Sequence, residues 1–130
     1  MRANAVGEAR ARVGAQLGTL AAAVGERDAA ALLGVSKTTL GSYRTAGVPS
    51  DPATLAARDA RLAPYAARLD RLSSLQAEHA AAREGRDPLA QTAQQRAALR
   101  RQCERISRER ERLRAALRAD VRAALAGRAT

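Results

Sequence analysis

The feature that most constrains the fold is a seven-residue repeat of apolar side chains in the second half of the chain. Leucines recur at that interval after residue 54, with other apolar residues between them, at Leu55, Leu62, Tyr65, Leu69 and Leu72. After residue 88 the spacing returns at Leu99, Cys103, Ile106, Leu113 and Leu117. A heptad repeat places one apolar stripe along a helix that packs against another helix. The sequence therefore predicts two long helices that pack side by side.

Glycine and proline residues mark where these helices begin and end. Residues 84–88 read Glu-Gly-Arg-Asp-Pro, which stops one helix at a glycine and starts the next with an Asp cap before a proline. Two helices joined by so short a turn pack antiparallel, which predicts a helical hairpin. Pro64 interrupts the first of them, because proline lacks an N–H donor and clashes with the preceding turn. We expect the last helix to run from Pro88 to about Ala126 and to end at Gly127.

The N-terminal part contains shorter helices. A first helix, from about Glu8 to Gly25, carries an apolar stripe at Val13, Leu17, Leu20 and Val24. The next two helices close at Gly47. Asp51 then caps a new helix whose first position is Pro52, where the missing N–H is not needed.

The composition supports an all-α fold. Of the 130 residues 34 are alanine, none is Phe or Trp, and no stretch alternates apolar with polar residues as a strand would. We predict two parts, an N-terminal helical domain at residues 1–52 and a helical hairpin at residues 53–130. One deep core is not expected, because large apolar side chains are scarce.

The predicted hairpin leaves an apolar stripe that needs a partner. A second subunit would bury it in a coiled-coil or four-helix-bundle dimer with two-fold symmetry. The alternative is a monomer in which the hairpin folds back onto its own N-terminal domain. The residues assigned to oligomerisation are Leu62, Leu69, Leu72, Leu99, Ile106, Leu113 and Leu117.

Residues 26–44 carry a pattern in which each position has a packing role. Ala30 is small where two helices would cross, Gly34 stands where a turn needs a positive φ, and Val35 fills the space beneath the turn. Ser36 is a typical N-cap for the second helix. The inner face is completed by Leu33, Leu40 and Tyr43.

This pattern resembles the helix-turn-helix of bacterial and phage regulators, and the resemblance covers about residues 8–62. Val48-Pro49 and the helix that follows are similar to phage repressors of the Cro and C1 type. The string from Gly34-Val35-Ser36 to Gly47-Val48-Pro49 is also similar to excisionase and MerR-like modules, and both resemblances stay open. The alternative is a plain helical hairpin without DNA contact.

The resemblance implies that residues 1–52 form a helix-turn-helix DNA-binding domain, and that the second helix of the motif, residues 36–46, enters the major groove of double-stranded DNA. It assigns base reading to Lys37, Thr38 and Ser42. It assigns phosphate contacts to Ser36, Thr39 and Arg44. Gly41 departs from the larger residue that is usual there, and it leaves that point of the helix bare.

The basic charge lies mainly at the C-terminal end. The net charge is +10, and residues 88–130 hold 11 basic and 4 acidic residues. One interpretation is a solvated helix in which arginines pair with acidic residues three or four positions away. The other is that some of them contact phosphates beside the recognised site or on a second duplex, namely Arg101, Arg105, Arg108 and Arg112. Arg110 stands where the repeat calls for an apolar residue.

The residue inventory argues against catalysis. Cys103 and His79 are the only cysteine and histidine, and there is no Gly-rich phosphate loop, so we expect no enzyme, no metal site and no cofactor. No apolar run is long enough to span a membrane, and we expect a cytoplasmic, nucleoid-associated protein. The sequence favours a sequence-specific, dimeric transcriptional regulator. The alternatives are a DNA-packaging, plasmid-partition or nucleoid-associated protein that forms a higher oligomer, and a helical adaptor that binds another protein.

Overall fold

All regular structure in the described part of the chain is helical. The computed structural model describes residues 2–84 and 92–129, and neither range contains a strand, which confirms the all-α prediction. The α-helices are α1 (Arg2–Val24), α2 (Glu26–Leu33), α3 (Lys37–Ala46), α4 (Pro52–Leu62), α5 (Ala66–Glu84) and α6 (Ala93–Ala129). A 3₁₀ helix at Ala63–Tyr65 connects α4 to α5.

Most of the predicted helix boundaries are confirmed. Gly25, Gly34 and Gly47 have φ values of 93°, 73° and 92°, in the region that favours glycine. The Asp51 carboxylate accepts hydrogen bonds from the backbone N and the hydroxyl of Thr54, at 3.0 and 2.8 Å. These bonds cap α4 and lower the pKa of Asp51, with the backbone bond the larger cause. The break at Pro64 is the 3₁₀ helix.

Two boundaries differ from the prediction. α1 begins at Arg2 rather than near Glu8, because Val6 packs partly buried against the core and extends the helix in the N-terminal direction. α6 continues through Gly127 to Ala129. The predicted turn at 84–88 and the predicted helix start at Pro88 lie outside the described residues, apart from Glu84, the last residue of α5.

One apolar core connects the two halves of the chain. Its buried side chains come from both sides of the predicted boundary at residue 52, and the division into domains stays a prediction. Leu17 and Leu20 supply the α1 side, while Leu117 and Val121 supply the α6 side, and the side chains of the last two are fully buried. α6 packs against α1, α2 and α5. The end of the chain therefore closes a core that the first helices begin.

The prediction that the apolar stripe is exposed is wrong. Five of the residues assigned to oligomerisation are buried within one chain, Leu62, Leu69, Leu72, Ile106 and Leu117, and Leu99 and Leu113 are half-buried. The physical reason is that α6 folds back along α1 and α2, so this chain supplies its own partner surface. These side chains stabilise the protomer, and their role in oligomerisation stays a prediction.

Ion pairs connect α5 to α6. Arg71 donates from Nε and Nη2 to the two carboxylate oxygens of Glu109, at 2.8 and 3.1 Å, and Arg68 pairs with Asp120. Arg71 contacts Glu109, whereas Arg68, earlier in α5, contacts Asp120, later in α6. The two helices therefore run in opposite directions. The contact with Arg71 lowers the pKa of Glu109.

Candidate nucleic-acid interface

The connection between α2 and α3 is a tight turn held by backbone hydrogen bonds. The N–H of Gly34 donates to the carbonyl of Ala31 at 3.1 Å, and the N–H of Val35 donates to that of Ala30 at 3.0 Å. This is the Schellman pattern, which needs a left-handed residue after the helix, and Gly34 supplies it. Ala30 is buried beneath the turn and Val35 is half-buried. The turn therefore holds α3 at one angle to α2.

Ser36 caps the start of α3. Its Oγ accepts a hydrogen bond from the backbone N of Thr39 at 3.1 Å and donates one to the Thr39 hydroxyl at 2.9 Å. The first turn of α3 is thereby fixed, with its remaining N–H groups directed out of the helix. Both residues, predicted as phosphate contacts, take part in this local network.

The two sides of α3 differ in exposure. Leu40 is buried, and Tyr43 and Thr39 are half-buried, on the side that packs against α1 and α2. The opposite side is exposed, and with a period of 3.6 its residues form one continuous surface. We call this surface the outer face of α3, and it consists of Lys37, Thr38, Gly41, Ser42 and Thr45.

The structure brings the three predicted base-reading residues together on that face. Lys37, Thr38 and Ser42 are all exposed within the first six residues of α3. The sequence prediction missed Thr45, which lies one turn after Gly41 and completes the same face. Helical periodicity alone could have predicted this, because Thr45 lies four residues after Gly41.

Arg44 has a partner that the sequence prediction did not foresee. Its Nη1 lies 2.7 Å from Oε1 of Glu26, at the start of α2, and both side chains are about half exposed. A surface ion pair of this kind contributes roughly 0 to 1 kcal/mol, so a stronger anion can replace the carboxylate. Arg44 lies beside the outer face and is tied to α2 in the absence of such an anion.

Arginines from distant helices hold the ends of α1 and α2. Arg118 donates to the carbonyl of Ala23 at 3.2 Å, and Arg128 donates to that of Leu32 at 3.0 Å. Arg58 reaches the carbonyl of Leu33 at 3.4 Å. Cations at helix C-termini satisfy free carbonyls and complement the helix dipole. These roles depend on tertiary contacts, and no local pattern in the sequence signals them.

Four arginines lie along one exposed side of the arginine-rich helix α6. Arg101, Arg105, Arg108 and Arg112 follow a 4-3-4 spacing and are exposed, and we call them the arginine stripe. Within the described ranges none of the four forms an ion pair closer than 4.0 Å. The acidic side chains of α6 that form ion pairs do not pair with arginines three or four positions away, although Arg112 and Arg105 at those distances help Arg71 to lower the pKa of Glu109. Glu109 and Asp120 bind α5, and Glu111 lies 3.3 Å from Arg118.

Comparisons with protein-family models, curated proteins and solved structures gave no significant match. Within residues 2–84 and 92–129 no helix is both long and apolar enough to cross a membrane. The same residues contain no group of three or more His, Cys, Asp or Glu side chains arranged to hold a metal ion.

Proposed function

We propose that this chain binds double-stranded DNA sequence-specifically as a dimeric transcriptional regulator, with residues 36–46 in the major groove. The observation that carries the proposal is the outer face of α3, which is exposed and polar while the rest of the helix is held by a buried Leu40 and a glycine turn. A recognition helix needs this combination of a fixed backbone and a free surface.

The side chains of the outer face suit the edges of base pairs. The Lys37 ammonium can donate to O6 and N7 of guanine, and the hydroxyls of Thr38 and Ser42 can donate to or accept from either base of a pair. The threonine methyl groups can contact the methyl group of thymine. With its side chains an α-helix is about 10–12 Å in diameter, which fits a major groove about 12 Å wide, and the 10 residues of α3 extend about 15 Å.

Phosphate contacts are expected at both ends of the helix. The N-terminal turn of α3 offers backbone N–H groups and the positive end of a helix dipole, which together bind phosphate. Arg44 can exchange its exposed Glu26 partner for a phosphate near the C-terminal end. The net charge of +10 adds a long-range attraction to any polyanion.

The dimer in this proposal follows from how such helices read DNA. Proteins with one recognition helix per subunit bind two half-sites about 34–36 Å apart, or multiples of that distance, by two-fold symmetry. Because most of the apolar stripe is buried within the chain, the pairing surface we propose lies at the far end of α5 and α6. Leu99 and Cys103 are half-buried there.

The experiment that tests the proposal is selection of bound duplexes from a random pool, followed by sequencing. Light scattering on the complex with the enriched duplex gives the number of subunits. A dimer with an enriched, two-fold-related motif supports the regulator. Retention of no duplex at low salt contradicts DNA binding and leaves the adaptor that binds another protein.

A second candidate function is supported by the arginine stripe. Four exposed guanidinium groups on one side of α6 suit phosphates of any sequence, as a packaging, plasmid-partition or nucleoid-associated protein requires. This candidate predicts an oligomer larger than a dimer and no enriched motif. The same selection and light-scattering measurements separate it from the regulator.

A further inference from the structure

A cleft of about 320 Å³ lies between α1, α5 and α6, away from the outer face of α3. α1 contributes small side chains and bare backbone, α5 contributes Leu72 and Gln76, and α6 contributes two arginines, Arg110 and Arg114. No function assigned above uses this cleft.

The two arginines of the cleft are unusual in their surroundings. They are four residues apart, on one side of α6, and both are half-buried. In the described part of the chain neither forms a hydrogen bond, and neither has an acidic partner within 4.0 Å. Arg118, one turn later, has both, in the carbonyl of Ala23 and the carboxylate of Glu111. Like charges at this spacing destabilise a helix, so the pair costs stability that no ion pair within the described residues recovers.

The position of Arg110 strengthens this observation. It falls in the apolar register of α6, between Ile106 and Leu113, where an aliphatic residue could extend the core. Ile106 is buried and Leu113 is half-buried, so the backbone on either side of Arg110 faces the interior of the chain. A guanidinium group is thus directed into a space between helices where the packing alone favours an apolar side chain.

The α1 wall is kept open by Gly14 and Gly18. A Cβ atom built at either residue would meet no other atom within 4 Å, so helix packing does not require glycine there. Glycine inside a helix is less stable than alanine. Their effect in the folded chain is to leave backbone exposed on the side of the cleft that lies across from the arginines.

We propose that this cleft binds a small phosphorylated molecule, with its phosphate held by Arg110 and Arg114. Guanidinium groups donate two parallel hydrogen bonds to phosphate oxygens, and two of them match the charge of a phosphate monoester. Gln76 offers an amide that can bind hydroxyl groups on the remainder of the molecule. The volume is at the low end of the range for ligand pockets, which favours a compound the size of a triose phosphate over a nucleotide.

The test is calorimetric titration of the full chain with glycerol 3-phosphate, with glycerol and succinate as comparison ligands. We expect saturable binding of glycerol 3-phosphate and none of glycerol. The variant R110Q/R114Q should weaken binding by about tenfold or more. The control R101Q/R105Q removes the same two charges at the same spacing from the exposed arginine stripe, and it should bind as the unchanged chain does.

A second pair of variants tests the location of the binding site without changing the net charge of the chain. Gly18→Leu fills the cleft and should abolish binding, whereas Gly7→Leu changes an exposed glycine of the same helix and should not. Circular dichroism melting confirms that each variant is folded. Binding that survives Gly18→Leu, or succinate binding as tight as that of glycerol 3-phosphate, would overturn the proposal.

The phosphates of the DNA backbone can bind Arg110 and Arg114 by the same hydrogen bonds as a small phosphorylated molecule. One further experiment distinguishes the two ligands. A random-sequence duplex is titrated into the unchanged chain and into R110Q/R114Q. If only the duplex binds, and binds through these arginines, the small-molecule proposal is wrong and the cleft is part of a DNA surface. Because glycerol 3-phosphate binding is measured without DNA, failure of the proposed DNA binding leaves this result unaffected.

Discussion

Arg128, in the last turn of α6, donates a hydrogen bond to the carbonyl oxygen of Leu32, 3.0 Å away and 96 residues earlier in the chain. The same Nη1 lies 3.3 Å from the carbonyl of Ala31. α2 ends at these residues, and the turn into α3 follows directly. The end of the chain thus supports the segment that positions the outer face of α3.

We predict that Arg128→Gln lowers the free energy of unfolding by roughly 1 kcal/mol, because a charged donor to the carbonyl of Leu32 at the end of α2 is lost. Urea denaturation monitored by circular dichroism measures the change. Arg122→Gln is the control, since Arg122 is an exposed arginine of the same helix. Equal stabilities of the two variants would show that the contact with Leu32 contributes nothing.

The prediction about base reading is tested at Lys37 and Ser42. Replacing both with alanine should reduce affinity for the selected duplex by roughly tenfold or more, because each base contact is worth about 1–3 kcal/mol of discrimination. Fluorescence anisotropy at constant salt measures the affinity. The control R61A/S74A removes one cation and one serine from exposed positions on α4 and α5. If both variants bind equally well, α3 does not read the bases.

Two glycines of the α2–α3 segment should respond to alanine with opposite signs. Gly34→Ala is expected to cost about 1–2 kcal/mol, because its φ of 73° is in the left-handed region. Gly41→Ala should raise stability by up to about 1 kcal/mol, since Gly41 is inside a helix and a Cβ there meets no atom within 4 Å. Thermal melting of both variants checks the signs. Stabilisation by Gly34→Ala would contradict the glycine turn.

Removal of the arginine stripe should change how the affinity for DNA depends on salt concentration. Replacing its four arginines with glutamine should reduce the slope of log K against log salt by up to about 3.6, if each one neutralises a phosphate of B-DNA. Titrations at several salt concentrations measure the slope. An unchanged slope would mean that the stripe is a solvated helix surface and does not contact DNA.

Asp51 predicts a dependence of stability on acid pH. Its pKa is lower in the folded chain, because the carboxylate accepts hydrogen bonds from Thr54. This contribution to stability is therefore present above the pKa of the unfolded state, near 4, and is lost as the pH falls through the folded value. Asp51→Asn should flatten the stability profile below about pH 4 relative to the unchanged chain. Denaturant melts between pH 2 and 6 measure this, and identical profiles would exclude the cap as the cause.

Local chemistry explains what the sequence predicted correctly. Gly25, Gly34 and Gly47 were identified as boundaries because a left-handed residue is favourable almost only for glycine. The caps at Ser36 and Asp51 depend on atoms three residues away, which the sequence places within reach. The exposure of Lys37, Thr38 and Ser42 follows from helical periodicity once Leu40 is known to face inward.

Packing between distant parts of the chain explains what the sequence did not predict. The stripe that includes Ile106 and Leu117 is apolar whether it faces a second subunit or the same chain, and the heptad spacing does not distinguish these partners. Small side chains such as Ala23 and Ala30 make α1 and α2 good surfaces for α6, yet alanine carries no directional signal in a sequence. The roles of Arg118 and Arg128 depend on that packing.

The closure of the core by Leu117 and Val121 also has a consequence for synthesis. The contacts of these residues with α1 and α2 connect positions about a hundred residues apart, and such contacts slow folding. While the ribosome is still adding residues 93–121, the nascent N-terminal helices lack the side chains of α6 that complete the apolar core. We expect them to need protection from aggregation and proteolysis until Val121 has emerged from the ribosome, because domains usually complete folding as units.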